Sequence, residues 1–201
     1  MKWIWVRHGE TEENQLRRYL GQADPPLNSR GEEQAERLVQ RLSRLQISAV
    51  YTSDLQRCTQ TAVCIARRHG LVPIASRSLR ELAFGRWEGK TYEAIMEADA
   101  ELAVRWYADP FAVSPPEGED LRTFGERIDH WLAGIMAACD PCDSIVIVSH
   151  GGVIRWFQSR WLHGDPGRFW QAEGIAHGET MTVVWNGSHW QVDRLDERNR
   201  M

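Results

Sequence analysis

Apolar residues fall along this chain in two rhythms, short continuous runs and longer stretches with apolar positions three or four apart, and each rhythm predicts a different element. The runs Trp3-Ile4-Trp5-Val6 and Ser144-Ile145-Val146-Ile147-Val148 read as buried strands, and Ala49-Val50-Tyr51-Thr52 as another strand. Residues 28–45 place Ala35, Leu38, Val39, Leu42 and Leu45 at helical spacing behind an Asn28 or Ser29 cap. Further helices are predicted from Ser53-Asp54 to His69-Gly70, over 92–107 and 121–138, and over 153–162. The breaks Asp109-Pro110 and Pro115-Pro116 separate the middle two. Residues 71–75 make a short candidate strand, while 180–185 and 190–192 flank the hairpin signal Asn186-Gly187. Strands alternating with helices predict an α/β three-layer sandwich, with a largely parallel central sheet flanked by helices and a C-terminal hairpin or edge pair. Residues 1–201 read as one domain, with the loop- and helix-rich stretch 82–124 as a small cap over a pocket.

Composition narrows the class without altering that layout. An apolar fraction of 42% and a charged fraction of 26% suit a globular chain rather than a disordered or membrane-embedded one. At a net charge of −4 no global field gathers nucleic acid or anionic lipid, so neither is an expected partner. An anion would have to be held by locally placed arginines. Charge arrives by Arg7, too early for a secretory leader, and no apolar run approaches the ~18 residues of a membrane span, so the expected compartment is the cytoplasm. Cys139 and Cys142 form a CxxC, yet it ends a helical pattern and has neither a second pair nor nearby histidines to complete a zinc set. These two, with Cys58 and Cys64, are expected to be reduced thiols without a role. The ten tryptophans are scattered and expected in the core or at a pocket mouth.

Candidate chemistry gathers where predicted strands end. The run ending at Val6 is followed by Arg7-His8-Gly9, and the run ending at Val148 by Ser149-His150-Gly151-Gly152. Ligands bind outside the carboxyl ends of strands in open parallel sheets, so His8 and His150 converge if their strands are neighbours. Arg57 falls in the first turn of the helix after Thr52-Ser53, where free backbone N–H groups already favour an anion. Two guanidinium forks and two imidazoles facing one cavity suit a phosphoryl group. Arg57 is expected to serve that anion rather than the fold.

This ordered set resembles the histidine phosphatase superfamily, which includes the cofactor-dependent phosphoglycerate mutases. The resemblance opens with Arg7-His8-Gly9-Glu10-Thr11 and Asn14 and continues through Gly21-Gln22, Arg30-Gly31, Ser53-Asp54-Leu55-Gln56-Arg57, Leu79 to Gly89 and Pro116 to Glu119. It closes at Val148-Ser149-His150-Gly151-Gly152, so it spans nearly the whole chain in order. It implies a metal-independent, cofactor-free phosphatase acting on a small-molecule phosphomonoester through a phosphohistidine. His8 would be the nucleophile, Arg7, Arg57 and His150 the phosphoryl clamp, and Glu81 the proton donor, with Glu88 the next carboxylate to consider. Asn14, Gly21, Gln22 and Gly151 would contact the substrate. The mutase alternative keeps an Arg and a Tyr after the catalytic Glu and a longer central insertion, whereas Glu81 here precedes Leu82-Ala83-Phe84. Segments 81–89 and 115–124 resemble more the α-ribazole phosphatases of cobalamin biosynthesis and broad-specificity bacterial phosphatases. A non-catalytic phospho-ligand sensor on the same fold is the second alternative, and monomer and homodimer both stay open.

Overall fold

In the computed structural model the two rhythms resolve into one six-stranded sheet with helices against it. Residues 1–193 are described; residues 194–201 of the predicted domain lie outside them. In chain order the elements are β1 (Lys2–Arg7), α1 (Glu12–Gln15), α2 (Ser29–Leu42), β2 (Ala49–Ser53), α3 (Gln56–Arg68) and β3 (Ile74–Ser76). They continue as α4 (Tyr92–Ala108), α5 (Leu121–Ala138), β4 (Ser144–Ser149), α6 (Gly151–Trp156), β5 (Thr180–Trp185) and β6 (Trp190–Val192). Across the sheet the order is β3-β2-β4-β1-β5-β6. The first four strands are parallel, β5 runs antiparallel to β1, and β6 runs antiparallel to β5.

Alternation along the central strands builds two cores. Trp3, Trp5, Ile145, Ile147 and Val183 face one side, where Phe124, Ile128 and Leu132 of α5, Val153 and Ile154 of α6, and Ile95 and Trp106 of α4 cover them. Ile4, Val6, Val50, Val146 and Val148 face the other, against Leu38 and Leu42 of α2 and Cys58, Ala62, Ile65 and Ala66 of α3. A strand buried on both faces needs a continuous apolar run, the signal read at 3–6 and 144–148.

Three boundaries differ from the expectation. The short strand lies at Ile74–Ser76 rather than 71–75, paired only with β2 at the sheet edge. The helix predicted to reach Leu45 ends at Leu42, capped by the Asn28 side chain at its start. The helix predicted over 153–162 is α6 followed by a π-helical turn, Phe157–Leu162. Trp156 and Trp161, five apart, both donate their indole N–H to Oδ1 of Asp129, at 2.8 and 2.6 Å. Spacing five puts two residues on one face only when the turn is widened to the π form.

Candidate active site

The parallel strands all end on one rim, and each delivers part of a site. His8 follows β1, Arg57 lies in the first turn of α3 after β2, and His150 is the N-cap of α6 after β4. From β3 the chain passes through a 3₁₀ turn, Arg77–Leu79, to Glu81. Because β4 sits beside β1, the two histidines converge, with ring centroids 5.1 Å apart. A cleft of about 380 Å³ opens there, lined by Arg7, His8, Asn14, Gly21, Arg57, Glu81 and His150, and also by Arg17, Arg18, Tyr19, Phe84, Tyr92 and His177.

The protonation pattern of His8 follows from its partner. Its Nδ1 lies 2.6 Å from the Gly9 carbonyl, which can only accept, so Nδ1 carries the hydrogen and Nε2 the lone pair. Burial, reinforced by Arg57, His177 and Arg7, holds its pKa well below the ordinary 6.5. A neutral imidazole with Nε2 free is what a nucleophile requires. His150 is depressed likewise, by burial first and then by Arg57 and His8. Its Nε2 is 2.9 Å from Ser53 Oγ and 3.4 Å from Cys58 Sγ, and burial pushes the Cys58 thiol far up, which leaves it unreactive.

Both arginines are tethered with a donor to spare. Arg57, fully buried, donates from Nη1 to the Ala23 carbonyl at 2.6 Å and from Nη2 to the Gly21 carbonyl at 2.7 Å. Arg7 donates from Nη1 to the Ile175 carbonyl at 3.0 Å. Nε of each is buried and meets no acceptor among the described residues. Burial lowers both pKa values, yet a guanidinium stays charged, and such donors suit an oxyanion. Arg57, expected to serve an anion rather than the fold, thus has a structural part as well, because it knits the 21–23 loop to α3.

Glu81 stands across the cleft with each carboxylate oxygen in a backbone bond, Oε1 from Leu82 N–H and Oε2 from Gly152 N–H, both at 2.9 Å. A Cβ on Gly152 would lie 2.2 Å from Glu81 Oε1, so only glycine admits the carboxylate here. Arg127 of α5 fixes this loop through the Glu81 and Ser78 carbonyls, at 3.0 and 2.9 Å, and is itself paired with Glu119.

The expected substrate contacts divide. Asn14 lines the cleft, its Oδ1 accepting from the Thr11 hydroxyl at 3.0 Å. Gly21 lines it too, and its φ of +54° and the Glu88 carboxylate, 2.1 Å from where a Cβ would stand, demand glycine. Gln22 does not line the cleft: its side chain accepts from Arg80 at 3.4 Å, and Arg80 is itself forked onto Asp54 at 2.7 Å. Gly151 stands behind Arg7, with the guanidinium 3.3 Å from where its Cβ would be. Glu88, the reserve carboxylate, is a clamp, accepting from the backbone N–H groups of Gln22, Ala23 and Phe84 at 2.8–3.2 Å.

Sequence reasoning missed His177 and the aromatic wall of Tyr19, Phe84 and Tyr92. The wall is built by edge contacts and by the Tyr19 hydroxyl bonded to that of Tyr107, which no local pattern announces. His177 was within reach. An antiparallel strand starts at the rim where its parallel neighbour ends, so a residue just before β5 arrives beside His8. Cys139 caps α5 and Cys142 is exposed, and among the described residues no three His, Cys, Asp or Glu side chains are grouped to hold a metal ion. Trp3, Trp5, Trp87, Trp106, Trp156 and Trp190 are buried, and no tryptophan lines the cleft.

Comparison with known proteins agrees with this geometry. Residues 3–198 match the model of the histidine phosphatase superfamily, branch 1. Phosphoserine phosphatase 1 of Hydrogenobacter thermophilus is 35% identical over 170 residues, covering 85% of this chain and 80% of the relative. The adenosylcobalamin/alpha-ribazole phosphatase of Escherichia coli is 32% identical over 184 residues, covering 91% and 87%. The crystal structure of the alpha-ribazole phosphatase from Shigella flexneri superposes with a TM-score of 0.87 at 29% identity, covering 96% of this chain and 94% of that one. The chain belongs to the histidine phosphatase superfamily and is a phosphatase.

Proposed function

We propose that the chain hydrolyses a small phosphomonoester in two steps on His8, and that the reaction requires no metal. The observation that carries this reading is the His8 tautomer, with Nδ1–H tied to the Gly9 carbonyl and the Nε2 lone pair left over in a cleft that Arg7 and Arg57 also line. In the first step Nε2 attacks phosphorus, the N–P bond forms, the P–O bond to the leaving group breaks, and Glu81 gives that oxygen a proton. Arg7, Arg57 and His150 stabilise charge on the equatorial oxygens, and Asn14 adds an amide donor. In the second step Glu81 takes a proton from water as its oxygen attacks phosphorus, and the N–P bond breaks to restore His8 and release phosphate.

The leaving group meets Tyr19, Phe84 and Tyr92, and residues 82–124 act as the cap that presents the last two. A flat aromatic group stacks on such a wall. That wall and the alpha-ribazole phosphatase relatives support α-ribazole 5′-phosphate as the substrate and the cytoplasm as the place of action. Steady-state assays with EDTA on p-nitrophenyl phosphate, α-ribazole 5′-phosphate and phosphoserine test the reading. The expected result is undiminished turnover in chelator, an acid-labile phosphoenzyme and the highest kcat/KM for α-ribazole 5′-phosphate. Complete loss in EDTA with rescue by zinc or magnesium would refute the mechanism. A preference for phosphoserine would refute the substrate.

A further inference from the structure

His177 belongs to the loop that precedes β5, and the backbone places it with the same precision as His8. The Gly178 N–H reaches the carbonyls of Arg7 and His8 at 3.1 and 3.2 Å, and the Arg7 N–H reaches the Glu179 carbonyl at 3.2 Å. The loop is thus stitched to the end of β1. The His177 ring lies 5.0 Å from the His8 ring, centroid to centroid, and lines the same cleft. Its Nδ1 is 3.3 Å from the His8 carbonyl, an obligate acceptor, so Nδ1 carries the hydrogen and Nε2 is left as a bare lone pair.

On the reading that this cleft binds the phosphoryl group, we infer that His177 is a third imidazole ligand of that group, protonated at Nε2 when the anion binds and then donating to a phosphoryl oxygen. The charges around it explain why the switch needs the anion. Arg7 faces it from the end of β1, His8 from the residue after it, Arg57 from α3 and Arg30 from α2, while Glu10, Glu179, Arg30 and Arg37 line a second cleft that His177 also borders. Burial first, and then Arg7, hold its pKa down at about 3, so without an anion it is neutral at any working pH. A dianion set among Arg7, Arg57 and His8 reverses the local field and favours the imidazolium. Nδ1 stays on the His8 carbonyl throughout, and a proton taken from solvent at Nε2 makes the contact.

The experiment uses tungstate, a dianion with no proton to give or take at neutral pH. Isothermal titration calorimetry of the purified protein at pH 7.0, in two buffers of different ionisation enthalpy, counts protons taken up on binding. His177→Asn keeps an N–H near the Nδ1 position for the His8 carbonyl but has no group at Nε2. His177→Gln places a neutral amide near Nε2. Wild type is expected to take up measurably more protons per tungstate than either variant. The Asn variant should bind roughly 10–100-fold more weakly, the loss expected for a hydrogen bond to a charged group, with Gln between. Should wild type bind and turn over p-nitrophenyl phosphate while His177→Asn keeps proton uptake and affinity unchanged, His177 is only a strut for the His8 carbonyl and the inference fails. If wild type neither binds tungstate nor turns over p-nitrophenyl phosphate, the phosphoryl reading of the cleft fails, and this inference with it. Circular dichroism confirms that each variant is folded, and either variant alone decides the outcome.

Discussion

At the scale of single residues, the site works by fixing which atom of each side chain is left over. Gly9 occupies Nδ1 of His8, Leu82 and Gly152 occupy one position on each Glu81 oxygen, and the Gly21 and Ala23 carbonyls occupy the Arg57 fork. The roles proposed for His8 and Glu81 separate by leaving group. His8→Ala should abolish the phosphoenzyme with every substrate. Glu81→Gln should slow phosphoryl transfer ~10²–10⁴-fold from an alkyl phosphate, whose departing oxygen needs a proton, and much less from p-nitrophenyl phosphate. Rapid-quench phosphorylation on both substrates measures this, and equal losses would remove Glu81 from the acid role. Arg57 has two jobs, and two substitutions divide them. Arg57→Ala strands the buried Gly21 carbonyl and the half-buried Ala23 carbonyl at about 1–3 kcal/mol each and should lower Tm by roughly 5–20 °C. Arg57→Lys keeps charge but not the fork, so it should hold Tm better while kcat/KM still falls at least ~10-fold. Thermal melts and kinetics on one preparation decide; a melt for Arg57→Ala that matches wild type would show that the carbonyl bonds contribute little.

At the scale of elements, the site depends on loops that reach one another across the rim rather than on any one helix or strand. Glu88 binds the 84–88 turn to the 21–23 loop, whose carbonyls hold Arg57, and Arg127 reaches from α5 to the loop of Glu81. Gly152 is the tightest joint. Gly152→Ala should drive the Glu81 carboxylate away while α6 keeps its fold, since alanine is the better helix former. Turnover of an alkyl phosphate should then fall toward the level of Glu81→Gln, with phosphoenzyme formation from p-nitrophenyl phosphate largely kept. An unimpaired variant would show that the carboxylate tolerates the displacement. The same distinction explains what the sequence made legible. Strands β1 and β4 announce themselves because both faces are buried, and His8, Arg57 and His150 follow from the rule that parallel strands present ligands at their carboxyl ends. Gln22 and Glu88 could not be placed from sequence, since whether a loop side chain faces a cleft or a neighbouring loop depends on long-range partners. The π turn at Phe157–Leu162 was hidden for a similar reason, since the carboxylate that Trp156 and Trp161 share belongs to Asp129 on another helix.

At the scale of the whole molecule, gathering three neutral imidazoles beside two arginines ties stability to pH. His8, His150 and His177 all have folded pKa values below the ordinary 6.5, by burial first in each case, and His177 lies at about 3. Below pH 6.5 the unfolded chain binds protons at these positions and the folded chain does not. Protons bound are then more numerous in the unfolded state, so stability rises with pH and is lost as pH falls. The contribution is complete above about pH 6.5 and, for His177, drains away down to about pH 3. Each group contributes on the order of 1.4 kcal/mol per pH unit inside its window, so the three together give a slope of roughly 4. Asp54, held low by its Arg80 bond, has its window at more acid pH, below the ordinary carboxylate value, so the histidines act first. Urea unfolding at pH 7.0 and 5.5 should show the protein less stable at pH 5.5 by roughly 2–4 kcal/mol, with the urea m-value unchanged. His177→Asn should lessen that difference. Tungstate should protect more at pH 5.5 than at 7.0, because the proton that the bound anion calls for is then more abundant. A flat stability between these two pH values would mean that the buried histidines carry protons in the folded state, and the tautomer argument for His8 as nucleophile would fall with it.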